Sequence, residues 1–443
     1  MKEICKPDAA LAKLVLPQKA QPGISYIPSQ YVLSFSYNGN QYVFNVFTKQ
    51  LIEVEQEIPA SARAGERYDD LIEAMFLVPE GKNECATYES ITRMMRLYGK
   101  KKGVPGYTIM PTLGCNARCI YCYEEGRTQV KMTPEIVEQT IRYILDTRKK
   151  EKISLRWFGG EPLLCPDIID HICERLREED VPFKSIMITN GSLITPEIIE
   201  KMQTHWNLNY LQISMDGAES DYIERKRYYG NADRYHAVMR SISRLSEAGI
   251  RVAVRVNVDE GNWPGIPQFL DDMKRFVENK ERVSVYFSPL MSVRADESDL
   301  AMWEKVISAS NMIRNAGFRT NAYMGPSMKF RANRCMADGG SVVIGPDGSL
   351  YPCEHCPPKS RYGDVFNGTT DEAAEQEFRR ADDTREMCRT CTFLPECTSY
   401  AKCPWVDMHC KESHAMNVLD GLKRYIDRKE TQPETTDEDD HNC

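Results

Sequence analysis

Between residues 106 and 318 the chain alternates strand-like and helix-like stretches, and that alternation leaves few folds open. Apolar, β-branched runs stand at Tyr107–Thr112, Ile153–Phe158, Ser185–Thr189, Tyr210–Met215, Arg251–Val258 and Val283–Pro289. Helical patterns lie between them. The first opens at Thr133-Pro134-Glu135, where a hydroxyl caps the helix and proline suits the first helical position. Apolar residues then recur at Ile136, Val137, Ile141, Ile144 and Leu145, one face of a helix. Thr195-Pro196-Glu197 repeats the start signal. Six strand–helix units predict an α/β fold, a parallel barrel or partial barrel, with functional residues at the C-terminal strand ends.

Directly after the first strand stands Cys115-Asn-Ala-Arg-Cys119-Ile-Tyr-Cys122. Three thiolates this close cannot all pair as disulfides, but they can hold three corners of a cubic iron–sulfur cluster. The fourth iron would then be open to a small molecule. A zinc knuckle or a set of buried thiols is the alternative. A zinc site, however, usually takes a fourth Cys or His, and none lies within twenty residues on either side. The spacing, with Tyr121 before the last cysteine, resembles the signature of the radical S-adenosylmethionine (SAM) enzymes. The resemblance implies that SAM chelates the open iron through its amino and carboxylate groups. One electron then cleaves it to a 5′-deoxyadenosyl radical. These enzymes share an incomplete six-unit barrel, so motif and alternation agree.

The strand ends fit the same resemblance. Gly159-Gly160-Glu161, closing the second strand, resembles the family's Gly-Gly-Glu motif, which contacts the methionine amino group of SAM. Glycines also let a backbone approach closely, and a tight strand-to-helix turn would use them equally well. Asn190 ends the third strand, and Ser214 and Asp216 end the fourth. By position, Ser214 and Asp216 resemble ribose or carboxylate contacts, and Arg255 on the fifth strand could pair with the methionine carboxylate. Such polar residues also simply cap helices.

Cysteines return beyond residue 330. Cys335 and Cys353 flank Val342–Tyr351, which reads as a hairpin around Pro346-Asp347-Gly348. Cys388-x2-Cys391-x5-Cys397-x5-Cys403-x6-Cys410 follows. Seven cysteines in this order resemble a SPASM domain, the auxiliary-cluster extension of radical SAM peptide and protein maturases. By motif position, Cys335, Cys353 and Cys403 would hold one auxiliary cluster and Cys388, Cys391, Cys397 and Cys410 another. With the loop at Cys115, that makes three 4Fe–4S clusters. The spacing before Cys403 is longer than the family's. No cysteine shortly precedes Cys335, so either Cys356 closes the first auxiliary cluster or one iron stays open. A zinc ribbon is the alternative for the second group. Glu354 occupies the place where related sulfatase-maturing enzymes carry an acidic base, which implies a proton acceptor. An ordinary acid beside a cluster is the alternative.

Ahead of the barrel, Tyr31–Tyr37 and Gln41–Phe47 read as a hairpin across Asn38-Gly39, and helices are predicted at Tyr68–Phe76 and Tyr88–Tyr98. In position and rough pattern this module resembles leader-peptide recognition elements, which offer a sheet edge to a peptide strand. A lid on the catalytic domain is the other reading. The expected division is 1–105 for this module, 106–320 for the barrel, 321–412 for the cysteine-rich domain and 413–443 for a C-terminal helix and acidic tail.

A net charge of −8 argues against a general nucleic-acid partner. No apolar run is long enough for a membrane span, and the N-terminus lacks the apolar core of a secretory signal. Sixteen clustered cysteines in a large chain fit metal sites in a reducing cytoplasm. The expected function is oxidative maturation of a ribosomally made, cysteine-rich precursor peptide bearing a leader. Flavodoxin or ferredoxin would supply the electron. The alternatives are a sulfatase-type maturase forming formylglycine, or a non-catalytic iron–sulfur or zinc protein.

Overall fold

A computed structural model of the chain describes residues 2–100, 103–126, 128–231, 234–290, 297–320, 328–330, 332, 341–355, 360–377, 386–397 and 410–431. The chain divides into two units, one of Met1–Leu97, Tyr323–Arg334 and Ala381–Cys443, the other of Tyr98–Ala322 and Cys335–Arg380.

The described residues of the first unit form seven strands: β1 (Lys2–Cys5), β2 (Ser25–Pro28), β3 (Val32–Tyr37), β4 (Asn40–Asn45), β5 (Leu51–Val54), β6 (Ala62–Arg63) and β7 (Leu77–Pro79). They form two antiparallel sheets, ordered β1-β5-β4-β3 and β6-β2-β7. The β3–β4 hairpin turns where expected. Asn38 and Gly39 both have positive φ (48° and 80°), the paired left-handed geometry that matches strand twist. Apolar residues of this sheet share one core with the C-terminal segments. Tyr31, Phe44, Phe47 and Leu51 pack with Phe393, Leu394 and, from the helix Cys410–Thr431, Leu422 and Ile426. Each such fully buried side chain contributes about 1.5–3 kcal/mol. Cys388 and Cys391 lie against the same core, half-buried.

The second unit is built on six parallel strands: β8 (Gly106–Ile109), β9 (Ile153–Trp157), β10 (Phe183–Thr189), β11 (Leu208–Met215), β12 (Arg251–Val258) and β13 (Val283–Pro289). All six expected strands are present. β8 stops at Ile109 because Pro111, two residues on, has no N–H to give the ladder. The expected caps form as well: Thr133 accepts from Ile136 N and Thr195 from Ile198 N, each opening a helix at proline. The hairpin near residue 346 is present as β14 (Ser341–Ile344) and β15 (Ser349–Tyr351). It does not stand apart. β14 pairs in parallel with β8, and β16 (Gly363–Asp364) and β17 (Gly368–Thr369) extend the sheet further. The described strands make one open, ten-stranded sheet with β13 and β17 at its ends.

Strand registry fixes which side chains share a face. Arg156 lies level with Ile186, Gln212 with Ile188, and Ser214 with Arg255 and then Tyr286. These half-buried residues occupy the face opposite the fully buried Leu155, Ile213, Val254 and Val285. Among the described residues, no helix is long and apolar enough to cross a membrane.

Candidate active site

The loop carrying Cys115, Cys119 and Cys122 follows β8 and is fixed at both ends. At its start, Thr112 Oγ1 donates to Val130 O (2.8 Å) and accepts from Gly114 N (2.8 Å). Gly159 and Gly160 pack directly onto this base. A Cβ on either would stand 2.3 Å from a carbonyl oxygen, that of Thr112 or of Gly114. Gly160 N and Glu161 N donate to those same carbonyls (3.1 and 2.8 Å). The two glycines therefore serve close approach of two backbones.

Beyond the base, residues 116–120 lie antiparallel to residues 225–229. Tyr229 N donates to Asn116 O (3.1 Å), Arg118 N to Lys226 O and Arg227 O (3.0 Å each), and Ile120 N to Arg225 O (3.0 Å), around a bridge between Ala117 and Tyr228. All three cysteines are half-buried free thiols. Burial pushes the Cys115 thiol up to about 11, and the thiols of Cys119 and Cys122 are also raised, chiefly by burial. Cys115 Sγ accepts from Ala117 N (3.4 Å) and from Asn190 Nδ2 (3.9 Å).

Glu161 is fully buried. Its Oε1 accepts from Leu163 N (3.0 Å) and Thr189 Oγ1 (2.7 Å), and its Oε2 from Asn190 N (2.8 Å). Burial raises its pKa against the pull of those three donors. The carboxylate thus ties the end of β9 to the end of β10. Asn190 also donates to Asn116 Oδ1 (2.8 Å), drawing the cysteine loop into the same network.

At the end of β11, Tyr121 OH donates to the completely buried Asp216 and accepts from Asn257 Nδ2 (3.0 Å). Lys226 lies 3.3 Å from Asp216 and donates to Ser214 Oγ (2.8 Å). Burial opposes its charge most strongly, but Asp216, Tyr121, Cys119 and Tyr228 together outweigh burial and hold the Lys226 pKa well above its ordinary value. Arg255 Nη2 donates to Ser288 Oγ (2.9 Å), while its buried Nε has no hydrogen-bond partner among the described residues. Glu161, Asn190 and Asp216 are thus linked by hydrogen bonds to the cysteine loop, Ser214 joins them through Lys226, and Arg255 is held by Ser288.

Sequence reading missed Lys226, Asn257 and Asn116. Lys226 sits in a charged run, Glu-Arg-Lys-Arg, which reads as a solvated helix face. Burial of two of its members, Arg225 and Lys226, follows from the helix end backing onto the cysteine loop.

The second unit also brings Cys353 to this sheet. Glu354, largely buried, lies 3.7 Å from Arg156 Nη1, and the His355 ring packs 4.8 Å from that of Tyr123, next to Cys122. Cys388, Cys391 and Cys397 belong to the first unit and are half-buried, and Cys410 opens the C-terminal helix. Cys335, Cys356 and Cys403 lie outside the described residues, as does the acidic tail beyond residue 431.

Among the described residues no three Cys, His, Asp or Glu side chains gather as ligands of a single metal ion would. A cubane spreads its ligands over separate irons. What fits it on this loop is the donor set: three free thiols within eight residues, anchored by glycines and backed by a buried network holding an unpartnered arginine nitrogen.

The profile of the radical SAM superfamily matches residues 109–273. Residues 109–273 are a radical SAM domain. The match runs from the end of β8 into the helix after β12, and takes in the cysteine loop, Glu161, Asn190, Asp216, Lys226 and Arg255 but not Ser288, Glu354 or His355. Radical SAM enzymes use SAM and a 4Fe–4S cluster, and the three thiols of the Cys115–Cys122 loop lie within the matched residues. Similarity extends to an AdoMet-dependent heme synthase of Methanosarcina barkeri, 23% identical over 65% of this chain and 88% of that one. The antilisterial bacteriocin subtilosin biosynthesis protein AlbA of Bacillus subtilis is 24% identical over 57% of this chain and 55% of its own length. Among solved structures, Streptococcus suis SuiB bound to precursor peptide SuiA shares the fold with a TM-score of 0.51. It has 16% identity and covers 84% of this chain and 95% of that one.

Proposed function

We propose that this radical SAM enzyme oxidatively matures a ribosomally made, cysteine-rich precursor peptide, forming a thioether or another side-chain cross-link. The observation that carries the reading is the meeting of the two cysteine segments on one sheet, through His355 on Tyr123 and Glu354 on Arg156. A site for hydrogen abstraction beside a second thiol-bearing segment suits a net oxidation, which needs an electron acceptor as well as a radical.

When bound, SAM and the catalytic cluster supply a radical able to take an unactivated hydrogen. The residues of this chain do the rest. Gly159-Gly160-Glu161, Asn190, Ser214, Asp216 and Arg255 would hold SAM, and Tyr121 would orient Asp216. Cys353, with Cys335, Cys403 and either Cys356 or no fourth protein ligand, would hold one auxiliary cluster. Cys388, Cys391, Cys397 and Cys410 would hold another. Glu354, ion-paired with Arg156, takes the substrate proton. The edge of the N-terminal sheet at β3 receives the leader as an added strand. AlbA, named for bacteriocin biosynthesis, and SuiB, solved with a precursor peptide, support a peptide substrate. A cytoplasmic setting suits the clustered cysteines.

The test is anaerobic. Reconstituted enzyme with SAM and dithionite is offered a cysteine-rich precursor encoded beside its gene, and the product is weighed by mass spectrometry. Loss of two hydrogens, with 5′-deoxyadenosine formed in step, is the expected result. Formation of 5′-deoxyadenosine without any change in peptide mass would refute the proposed substrate class.

A further inference from the structure

A buried ion pair is seldom a net gain in stability, because desolvating both charges costs about as much as their attraction returns. Lys226 and Asp216 are nevertheless both buried, and Lys226 stands at the back of the cysteine loop. The helix Glu219–Lys226 ends where Arg227 takes a left-handed backbone (φ 48°), which turns the chain along that loop. Arg118 N donates to Lys226 O and Ile120 N to Arg225 O, 3.0 Å each, so Cys119 sits between two backbone bonds to this helix end. The Lys226 ammonium donates to Ser214 Oγ (2.8 Å) and lies 5.9 Å from the centre of the Tyr121 ring, the residue that precedes Cys122.

The neighbouring cations are engaged elsewhere. Arg225 forks onto Asp259, with Nη1 3.2 Å from Oδ1 and Nη2 2.8 Å from Oδ2. Arg118 is exposed, and its Nη1 donates to Cys115 O (3.1 Å) and Ala117 O (2.8 Å). Asp216 opposes Lys226, but its carboxylate also accepts from Tyr121 OH, which draws off part of its charge. At the Cys119 thiol burial weighs most. Next comes the Lys226 ammonium, which favours the thiolate more strongly than Asp216 disfavours it. The ammonium also favours the charged forms of Cys122 and Glu161, where burial again leads and opposes it. Lys226 therefore turns a net positive field on the thiols.

We infer that the buried Lys226 charge controls the iron–sulfur group of the cysteine loop electrostatically, raising its reduction potential. Net charge and burial are among the levers that set such potentials. Reduction brings in one electron from a low-potential one-electron donor, and no proton or atom moves. The negative charge gained is stabilised by an ammonium held in a dry site, where salt and water screen it little. A methionine would pack in the same space without that field, so the retained feature is the charge. The inference rests on the assignment of the cluster to Cys115, Cys119 and Cys122, not on the identity of the peptide.

The test is a potentiometric titration followed by electron paramagnetic resonance, on the full-length, reconstituted protein without SAM or peptide, with titanium(III) citrate as reductant. The signal missing when Cys115, Cys119 and Cys122 are all replaced by alanine belongs to the loop. In Lys226→Met the reduced-to-oxidised ratio of that signal, read at a fixed potential, should fall by about tenfold or more, a midpoint lower by about 59 mV for one electron. Lys226→Arg keeps the charge and should stay within about twofold of the wild type. Lys226→Met combined with Asp216→Asn strands neither charge, and carries the test where the single variant does not hold the cluster. Its ratio should fall by about threefold or more, because Lys226 outweighs Asp216 at Cys119. Signals from the other cysteine groups should keep their midpoints throughout. An unmoved loop midpoint in the double variant would overturn the inference. Equal falls in Lys226→Arg and Lys226→Met would do so too, leaving Lys226 a packing support. A wild type with no loop signal would overturn the cluster assignment itself, and the inference with it.

Discussion

The Lys226 ammonium lies 3.3 Å from the Asp216 carboxylate, and both side chains are shut away from water, at 2% and 0% exposure. Around this pair Tyr121, Ser214 and Asn257 complete a hydrogen-bonded network that joins the cysteine loop to the ends of β11 and β12. Breaking a buried pair leaves an uncompensated charge. Lys226→Met should therefore destabilise the protein by about 3–5 kcal/mol. Adding Asp216→Asn in the same chain should recover a large part of that loss. Chemical denaturation of the single and double variants measures it. A double variant no more stable than Lys226→Met would show that the pair is not coupled.

Gly160 carries a different kind of constraint. Its Cβ side faces the carbonyls of Leu113 and Gly114 at 2.6 and 2.3 Å, the stretch immediately before Cys115. Gly160→Ala must push that backbone away, at about 1–3 kcal/mol. The expected outcome is iron loss confined to the catalytic loop, together with loss of SAM cleavage. Anaerobic iron analysis beside the wild type decides it. Full iron retention would mean that the two backbones separate freely.

Lys49 couples the N-terminal sheet to the second cysteine group within the first unit. Its side chain is 1% exposed, its backbone is left-handed (φ 69°), and its ammonium pairs with Glu396, next to Cys397. Glycine or asparagine would take that backbone more readily, so the side chain is what the position retains. Lys49→Met should loosen the Cys391–Cys397 segment. Iron at the auxiliary sites should fall, while peptide-free SAM cleavage is preserved. Equal losses of iron at all sites would instead indicate general unfolding. The shared core makes a related point. Deleting residues 1–105 removes Tyr31, Phe44 and Leu51 from beneath Cys388 and Cys391, so such a truncation would damage more than peptide binding.

In cluster-free protein, burial holds the Cys115 thiol at about 11, above the ordinary value near 8.5. The thiolate is the reactive form, so alkylation at pH 8 should be at least about tenfold slower than at an ordinary exposed thiol. Because the pKa is raised, the rate should climb as the pH rises toward it. Iodoacetamide labelling followed by peptide mapping checks this. A rate at Cys115 that is already maximal at pH 8 would contradict the buried, protonated thiol.

The parts of the fold legible in the sequence are those fixed by local chemistry. Cysteine spacing, threonine–proline helix starts and β-branched runs each act within a few residues, and all six strands and both caps are where they predict. Glu161 shows the limit. Gly159-Gly160-Glu161 is legible as a motif, but the clasp of its carboxylate on Thr189 and Asn190 depends on the registry of β9 with β10. Lys226 shows it more sharply, because a charged run on a short helix carries no signal that its end faces a buried acid. Nor does hairpin chemistry reveal that β14 joins β8. The sharing of one core by β3–β5 and the helix Cys410–Thr431 spans nearly the whole chain, and amphipathic periodicity names no partner for either.

The most direct test of the account is 5′-deoxyadenosine formation by the anaerobically reconstituted enzyme, with Cys115, Cys119 and Cys122 intact or all replaced by alanine. The intact protein should carry on the order of 12 Fe per chain, four in each cubane-type cluster, and cleave SAM. The triple variant should lose about a third of that iron and all of the cleavage, while the auxiliary sites stay filled. A triple variant that still forms 5′-deoxyadenosine would contradict the assignment of this loop as the catalytic centre.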